Sequence, residues 1–403
     1  MVGPDHLGID PRRVAFVHDA LAFMGGAERT LSAMLELFPE APVYTLIYNR
    51  KELQGTLIAR HPIYPSRLNN IPGIHRRYRS FLPFFPFLVE QFDLRGYEVV
   101  ISSSYAVAHG ALVDADQLHI AYLYTPMRHA WHDHAAFIRR SRQKSAAHSW
   151  MARLVLHYFR LWDVSAARRP DQILAASELV AARVQRYYRR SAQVLYPPVD
   201  VDRYRISGTQ ALHRSYYLVV SRLRPHKMVS IIVQAFNNLG YPLYVVGEGD
   251  ELRDLSKIAG QNIRFLGRQS DKNLRSLLAG AKALVHAAEE DFGITMVEAQ
   301  AAGCPVIAYG RGGAVETILP EITGILFPEQ SVDSLSEAVR RFESNQPKFN
   351  VHDLFENANR FSKQQFQDRF WKILRMDMNR SAILGPPDRP WYSRVPHDLL
   401  RKS

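Results

Sequence analysis

From Tyr216 onward, short apolar runs recur at a regular interval: YYLVV, LYVV, IRFLG, ALVHAA and PVIAY, each separated from the next by a stretch with helical spacing. Runs of four to six Val, Ile, Leu and Tyr without polar alternation suit strands covered on both faces. Strands that alternate with helices pair in parallel, because each crossover helix returns the chain to the same edge of the sheet. The spacing predicts helices over about 228–238, between the later runs, and from about 314. The first half starts the same way. RRVAFVHDAL opens with a buried-strand run, and MGGAERTLSAMLELF follows with two glycines and then Leu31, Leu35 and Phe38 at helical spacing. Further strands are predicted at 41–48, 97–104, 118–124 and 172–177. The α/β pattern therefore occurs twice.

The prolines of YPPVD (Pro197, Pro198) interrupt the alternation and mark the expected boundary. The expectation is an N-terminal Rossmann-like domain over 1–196, a second over 197–375, and a loosely held proline- and charge-rich tail over 376–403, preceded by a terminal helix from Val351 to Met378. A chain of 403 residues with 47% apolar content is long enough for two cores of ordinary size. One cysteine, Cys304, excludes an internal disulfide and disfavours a cysteine metal cluster, which fits a reducing compartment. No run approaches the roughly 18 apolar residues that span a bilayer, and the first ten residues lack the features of a signal peptide. The expected location is the cytoplasm, peripheral at the inner membrane face.

The net charge is +12, and residues 60–190 carry 19 Arg plus Lys against 9 Asp plus Glu. An anionic partner is expected for this half. No zinc-finger spacing, aromatic-basic RNA signature or clear helix-turn-helix pattern is present, so nucleic acid is not the expected partner. IPGIHRRYRSFLPFFPFLVEQF (71–92) mixes cations with aromatics, and FIRRSRQK adds more cations. That mixture suits anionic lipid headgroups, although a proline-interrupted core segment would read the same way.

Three stretches carry candidate chemistry. Gly25-Gly26 lies between the first strand and the following helix, where backbone amides and a positive helix end can meet a phosphate; a tight strand-to-helix turn also needs glycine on its own account. SRLRPHK places Arg222 and Lys227 at a strand end, and a guanidinium fork beside a mobile ammonium suits a diphosphate. EEDFGITMVEAQAAGCPVIA puts Glu290 in a loop and Glu298 just inside a helix that begins near Ile294 and stops at Gly303. Acids near helix starts are favoured by the dipole, so this spacing alone does not establish a role.

Taken in order, GGAERT, SRLRPHK, VVGEGDE, FLGRQSD and EEDFGITMVEAQAAGCPVIAYGRGGAVETI resemble retaining glycosyltransferase family four over roughly residues 12–375. The narrower likeness, through FVHDALAFMGGAERTLSAMLELFPEAPVYTLIYN, YTPMRHAW and YPPVD, is to the mannosyltransferase-like branch of bacterial surface-polysaccharide biosynthesis. The resemblance implies the GT-B fold, an α/β architecture of two doubly wound Rossmann-like domains facing an interdomain cleft. It also implies a retaining transfer of a hexose from a nucleotide diphosphosugar without a metal or other cofactor. Glu290 would contact sugar hydroxyls, and Glu298 the ribose. Phe292, Gly293, Ile294 and Thr295 would meet sugar and phosphate. Arg222 and Lys227 would hold the diphosphate, with Gly25 and Gly26 closing on it. Arg268, in FLGRQSD, would lie by the base, and Gly312 and Gly313 would line the same pocket, although turn geometry explains that pair equally well. Family members often carry a histidine in the segment that reads AYLYTPMRHAW here, where this chain has Tyr124; His129 is the nearest substitute, and whether His129, His18 or no histidine contacts the sugar stays open.

The branch resemblance favours GDP-mannose as donor and a glycan acceptor linked to polyprenyl diphosphate. A UDP-sugar donor, a catalytically silent carbohydrate-binding or partner module and a nucleotide-sugar epimerase of similar fold are the alternatives. The residues themselves show no general base, and the resemblance implies that the departing phosphate deprotonates the acceptor.

Overall fold

The computed structural model describes residues 11–205, 214–345 and 349–384. Two compact units divide the chain: one holds residues 1–123, 127–174 and 368–403, the other 124–126 and 175–367. Pro197 and Pro198 lie inside the second unit, and the expected tail beyond Leu384 falls outside the described residues.

The first sheet contains β1 (Val14–His18), β2 (Val43–Thr45), β3 (Ile63–Pro65), β4 (Val99–Ser104), β5 (Leu118–Leu123), β6 (Gln172–Ala175) and β7 (Gln193–Val194), in the order β3-β2-β1-β4-β5-β6-β7. β1 pairs in parallel with β2, Phe16 opposite Val43, and with β4, Phe16 opposite Ile101. All five β1 residues are buried, as the unbroken apolar run requires. Ala15 and Val17 pack on Val100, Val107 and Phe159 on one face. Phe16 meets Phe38 on the other face at 5.9 Å, and Phe38 meets Trp371 of the C-terminal helix at 5.3 Å.

The second sheet contains β8 (Tyr216–Val220), β9 (Leu243–Val246), β10 (Ile263–Gly267), β11 (Ala281–His286), β12 (Val306–Tyr309) and β13 (Gly324–Phe327), in the order β10-β9-β8-β11-β12-β13, with parallel pairing throughout. β8 shows why its run is continuous. Tyr217 and Val219 enter a core with Phe236, Val245, Ile307 and Phe327, while Leu218 enters the opposite core with Leu284, Val297 and Val306. In both sheets the strand order reverses beside the first strand of the unit, between β1 and β4 and between β8 and β11. Ligands of open α/β sheets lie at the carboxyl ends of the strands at such a reversal.

Several predicted elements are corrected. β3, β7 and β13 have no counterpart among the predicted strands. The expected helix from about 314 is a single turn, Ala314–Thr317. The terminal helix is two, Val351–Asn359 and Lys363–Leu384, and the break falls where Val199 pairs with Ser362.

Candidate functional site

At the reversal in the second sheet, the loop after β8 carries Arg222 and Lys227, and the loop after β11 carries Glu290. Lys227 sits in a single 3-10 turn, Pro225–Lys227. The next residue, Met228, holds a left-handed backbone at φ 53°, a conformation that costs a side-chain-bearing residue about 1 kcal/mol or more and so fixes where the lysine leaves the chain. Lys227 Nζ donates to Glu290 Oε1, and His286 Nε2 lies 3.1 Å from the same oxygen. The ion pair is mostly shielded, with side-chain exposures of 17% for Lys227 and 15% for Glu290. Burial raises the carboxyl's pKa, but the hydrogen bonds and charges of His286 and Lys227 outweigh it and hold Glu290 well below the usual carboxylate range. The group is a fixed carboxylate, and Lys227 and His286 both meet the same one of its two oxygens.

The Glu290 loop is braced on both sides. Gly312, at φ +64°, bridges Glu290, and Gly313 N–H donates to Glu290 O at 2.8 Å. A Cβ on Gly313 would meet Phe292 O at 2.0 Å, and one on Gly312 would meet Glu290 O at 2.4 Å. The two glycines are needed for this backbone contact. On the other side Arg183, from the helix Glu178–Tyr188, donates to Asp291 and reaches Glu289 at 3.1 Å and Thr125 Oγ1 at 3.4 Å. Each acid of Glu289-Glu290-Asp291 thus has a cationic partner. His286 and Arg183 were not among the sequence candidates. A histidine ending a buried strand reads as core, and an arginine on an amphipathic helix reads as a solvated face.

Glu298 lies in the second turn of the helix Ile294–Ala301 and is 5% exposed. The helix is entered through Gly293 at φ +91°, where a Cβ would also collide with Met296 Cε at 1.9 Å; only glycine fits. Ile294 and Thr295 form the first turn. The side chain of Phe292 is a core group, 5.6 Å from Tyr196 and 5.3 Å from Phe361, so only its backbone faces the loop. Arg268 is exposed just past β10, and Arg222 is exposed in the β8 loop. Cys304 is buried and its thiol pushed up to about 12 by burial, which leaves it inert as a nucleophile. Among the described residues no group of three or more His, Cys, Asp or Glu is arranged to hold a metal ion.

The remaining candidates are in the first unit. Gly25 and Gly26 do join β1 to the helix Gly26–Leu35, but Gly25 N–H donates to Glu28 Oε2 at 2.9 Å, so that amide is already engaged within the helix start. His18 is fully buried, with Nδ1 3.0 Å from Ser103 Oγ and Nε2 3.5 Å from Glu28; it packs the interior and touches no surface a sugar could reach. Ser102 and Ser104 pair in the same way with His119 and His109, so three consecutive serines of β4 each meet one ring nitrogen of a buried histidine. The YTPMRHAW stretch is split. Tyr124 to Pro126 belong to the second unit, through Thr125 and Arg183, while His129 belongs to the first, exposed and 4.9 Å from the Phe137 ring.

Across solved structures the chain is similar to Anabaena HepE in complex with UDP, TM-score 0.66 at 18% identity over 90% of this chain and 99% of that one. It is also similar to WaaG, a glycosyltransferase involved in lipopolysaccharide biosynthesis, TM-score 0.63 at 17% identity over 89% and 99%. The fold is GT-B. Within this GT-B chain, residues 200–367 match the family model for glycosyl transferases group 1. D-rhamnosyltransferase WbpZ of Pseudomonas aeruginosa is 30% identical over 188 residues, 42% of this chain and 49% of that protein. A GDP-mannose-dependent monoacylated alpha-(1-6)-phosphatidylinositol monomannoside mannosyltransferase of Corynebacterium glutamicum is 36% identical over 29% of this chain and 35% of its own length. The chain spans about half the length of the curated relatives it matches. The likeness to glycosyl transferases group 1 thus covers residues 200–367, within the second unit.

Proposed function

We propose that the protein is a glycosyltransferase that moves a hexose from a nucleotide diphosphosugar to a glycan. The observation that carries this reading is the Lys227–Glu290–His286 cluster at the strand-order reversal of the matched unit. Glu290 presents its second carboxylate oxygen to sugar hydroxyls, each charge-assisted bond contributing roughly 1.5 to 3 kcal/mol. Arg222 and Lys227 neutralise the diphosphate, the amides at Gly293, Ile294 and Thr295 meet phosphate and sugar, Glu298 takes the ribose hydroxyls and Arg268 lies by the base. As the glycosidic bond breaks, the diphosphate gains negative charge, so fixed cations and amides bind the transition state more tightly than the ground state. The departing phosphate takes the acceptor proton, the sugar keeps its anomeric configuration, and no metal takes part.

The donor we favour is GDP-mannose, on which two kinds of relative depend by name. A UDP-sugar is the second reading, favoured by the HepE complexes with UDP and UDP-glucose. The acceptor is proposed to be a polyprenyl-diphosphate-linked glycan of surface-polysaccharide synthesis, met at the cytoplasmic face of a membrane. No helix among the described residues is long and apolar enough to cross one. Incubation with a panel of nucleotide sugars, with and without lipid-linked acceptor, tests the proposal: acceptor-dependent release of nucleoside diphosphate is expected. Binding without release would indicate a silent module, and conversion of the nucleotide sugar itself an epimerase.

A further inference from the structure

The helix Ala146–Ala166 in the first unit carries apolar side chains on two opposite faces. Leu156, Phe159, Asp163 and Ala166 face the interior. The opposite face is apolar too: Trp150, Met151, Leu154, Tyr158 and Leu161 lie at helical spacing and are between 44% and 63% exposed. They line about 16 Å of helix, at about 1.5 Å per residue. Soluble surfaces rarely line up five large apolar side chains without a partner.

The charge around this face identifies the partner's class. From His134 to Trp162 the chain contains Arg139, Arg140, Arg142, Lys144, Arg153 and Arg160 but no Asp or Glu. The helix His134–Lys144 packs on Ala146–Ala166, so Arg139, Arg142, Arg153 and Arg160 belong to one hairpin with the apolar row. Phe84 and Phe87, also well exposed, flank and sit on the helix Phe85–Val89. Glu90 at its end accepts from Trp162 Nε1 at 2.9 Å and from Arg169 at 2.6 Å, which joins that segment to the same helix. A second copy of the chain would bring like charges together, whereas an anionic lipid surface accepts both the cations and the Trp, Tyr and Leu row.

We infer that the exposed face of Ala146–Ala166, with Phe84 and Phe87 beside it, is an interfacial docking surface that lies along an anionic bilayer. The 71–92 segment, the sequence's own candidate, is the lesser part of it, because Ile74, Phe85 and Val89 are committed to the core. The purpose of such docking rests on the transferase reading and its lipid-linked acceptor. Docking itself is measured without donor or acceptor, so its failure and the failure of that reading are distinguishable.

The test is co-sedimentation of the full chain with vesicles of phosphatidylglycerol and phosphatidylcholine, against phosphatidylcholine alone, at low and high salt. The protein is expected to bind the mixed vesicles, to be released as salt screens the cations, and to bind neutral vesicles poorly. Arg153→Gln should weaken partition about five-fold, and Leu154→Gln with Leu161→Gln about ten-fold or more, with thermal unfolding little changed because Leu154 and Leu161 are exposed on the outer face, 45% and 63%. Trp150 fluorescence, isolated by comparison with Trp150→Phe, should shift to the blue on vesicle addition. Absence of vesicle binding overturns the inference, as does a double variant that binds like the wild type. A concentration-dependent dimer abolished by the double variant, without vesicle binding, overturns it in favour of a second copy.

Discussion

Glu290→Gln separates the structural and chemical roles of the central carboxylate. The amide keeps the shape and an acceptor oxygen but removes the charge that Lys227 and His286 share. Breaking a fully buried ion pair costs about 3 to 5 kcal/mol. Here both partners retain some exposure, 15% and 17%, and the amide still accepts a hydrogen bond, so the stability cost is about 1 to 2 kcal/mol after discounting for solvent. That corresponds to a fall in Tm of about 3 to 6 °C for a unit of this size. The catalytic cost is larger. Two charge-assisted bonds to sugar hydroxyls weaken together, roughly 3 to 4 kcal/mol in the transition state, so turnover should drop about 100- to 1,000-fold. Affinity for the free nucleoside diphosphate, which has no hexose, should stay within about two-fold of wild type. The assay is nucleoside diphosphate release under saturating donor, paired with calorimetry of the nucleotide alone. A folded variant that turns over within about three-fold of wild type refutes the assigned contact between carboxylate and sugar.

Other outcomes follow from the same geometry. Because the folded pKa of Glu290 is depressed below its ordinary 4.5, its contribution to stability is fully present above about that pH and lost as pH falls toward the folded value; Glu290→Gln should flatten the acid limb of a stability-against-pH curve, with up to about 1.4 kcal/mol per pH unit removed. Arg183→Lys keeps a charge but loses the fork that spans Asp291, Glu289 and Thr125; kcat should fall about ten-fold while nucleotide affinity is unchanged, and an equal loss in nucleotide affinity would show that Arg183 acts on the donor directly. Gly293→Ala forces a side chain into φ +91° and against Met296, at about 1 to 3 kcal/mol, read as a lowered denaturation midpoint; an unchanged midpoint would mean that the loop relaxes freely.

The sequence showed the sheets because the central strands are covered on both faces and so appear as unbroken apolar runs. β1 and β8 were legible for this reason. The edges were not. β3 contains Pro65, which a ladder tolerates only where its missing N–H goes unused, and β13 is four residues of ordinary composition. The sequence pattern runs over 351–378 as one helix because its apolar spacing continues through the turn at 360–362, and only the pairing of Val199 with Ser362 shows the break. In the site, Lys227, Glu290 and Glu298 were visible as charged residues beside strand ends and glycines. His286 and Arg183 were not, since their roles depend on partners in other elements. The placement of Gly25 illustrates the converse: the motif identified the turn, but the competition of Glu28 for its amide is a matter of geometry.

The central claim is that Lys227 grips a diphosphate in the second unit. Thermal unfolding of the full chain in the presence of GDP, UDP and ADP tests it most directly, because a ligand at about 100 times its Kd stabilises by about 2.7 kcal/mol without any need for the acceptor. The account predicts a clear rise in Tm with at least one nucleoside diphosphate for the wild type and a much smaller rise for Lys227→Ala. No rise with any of the three, or an equal rise in the variant, would contradict it.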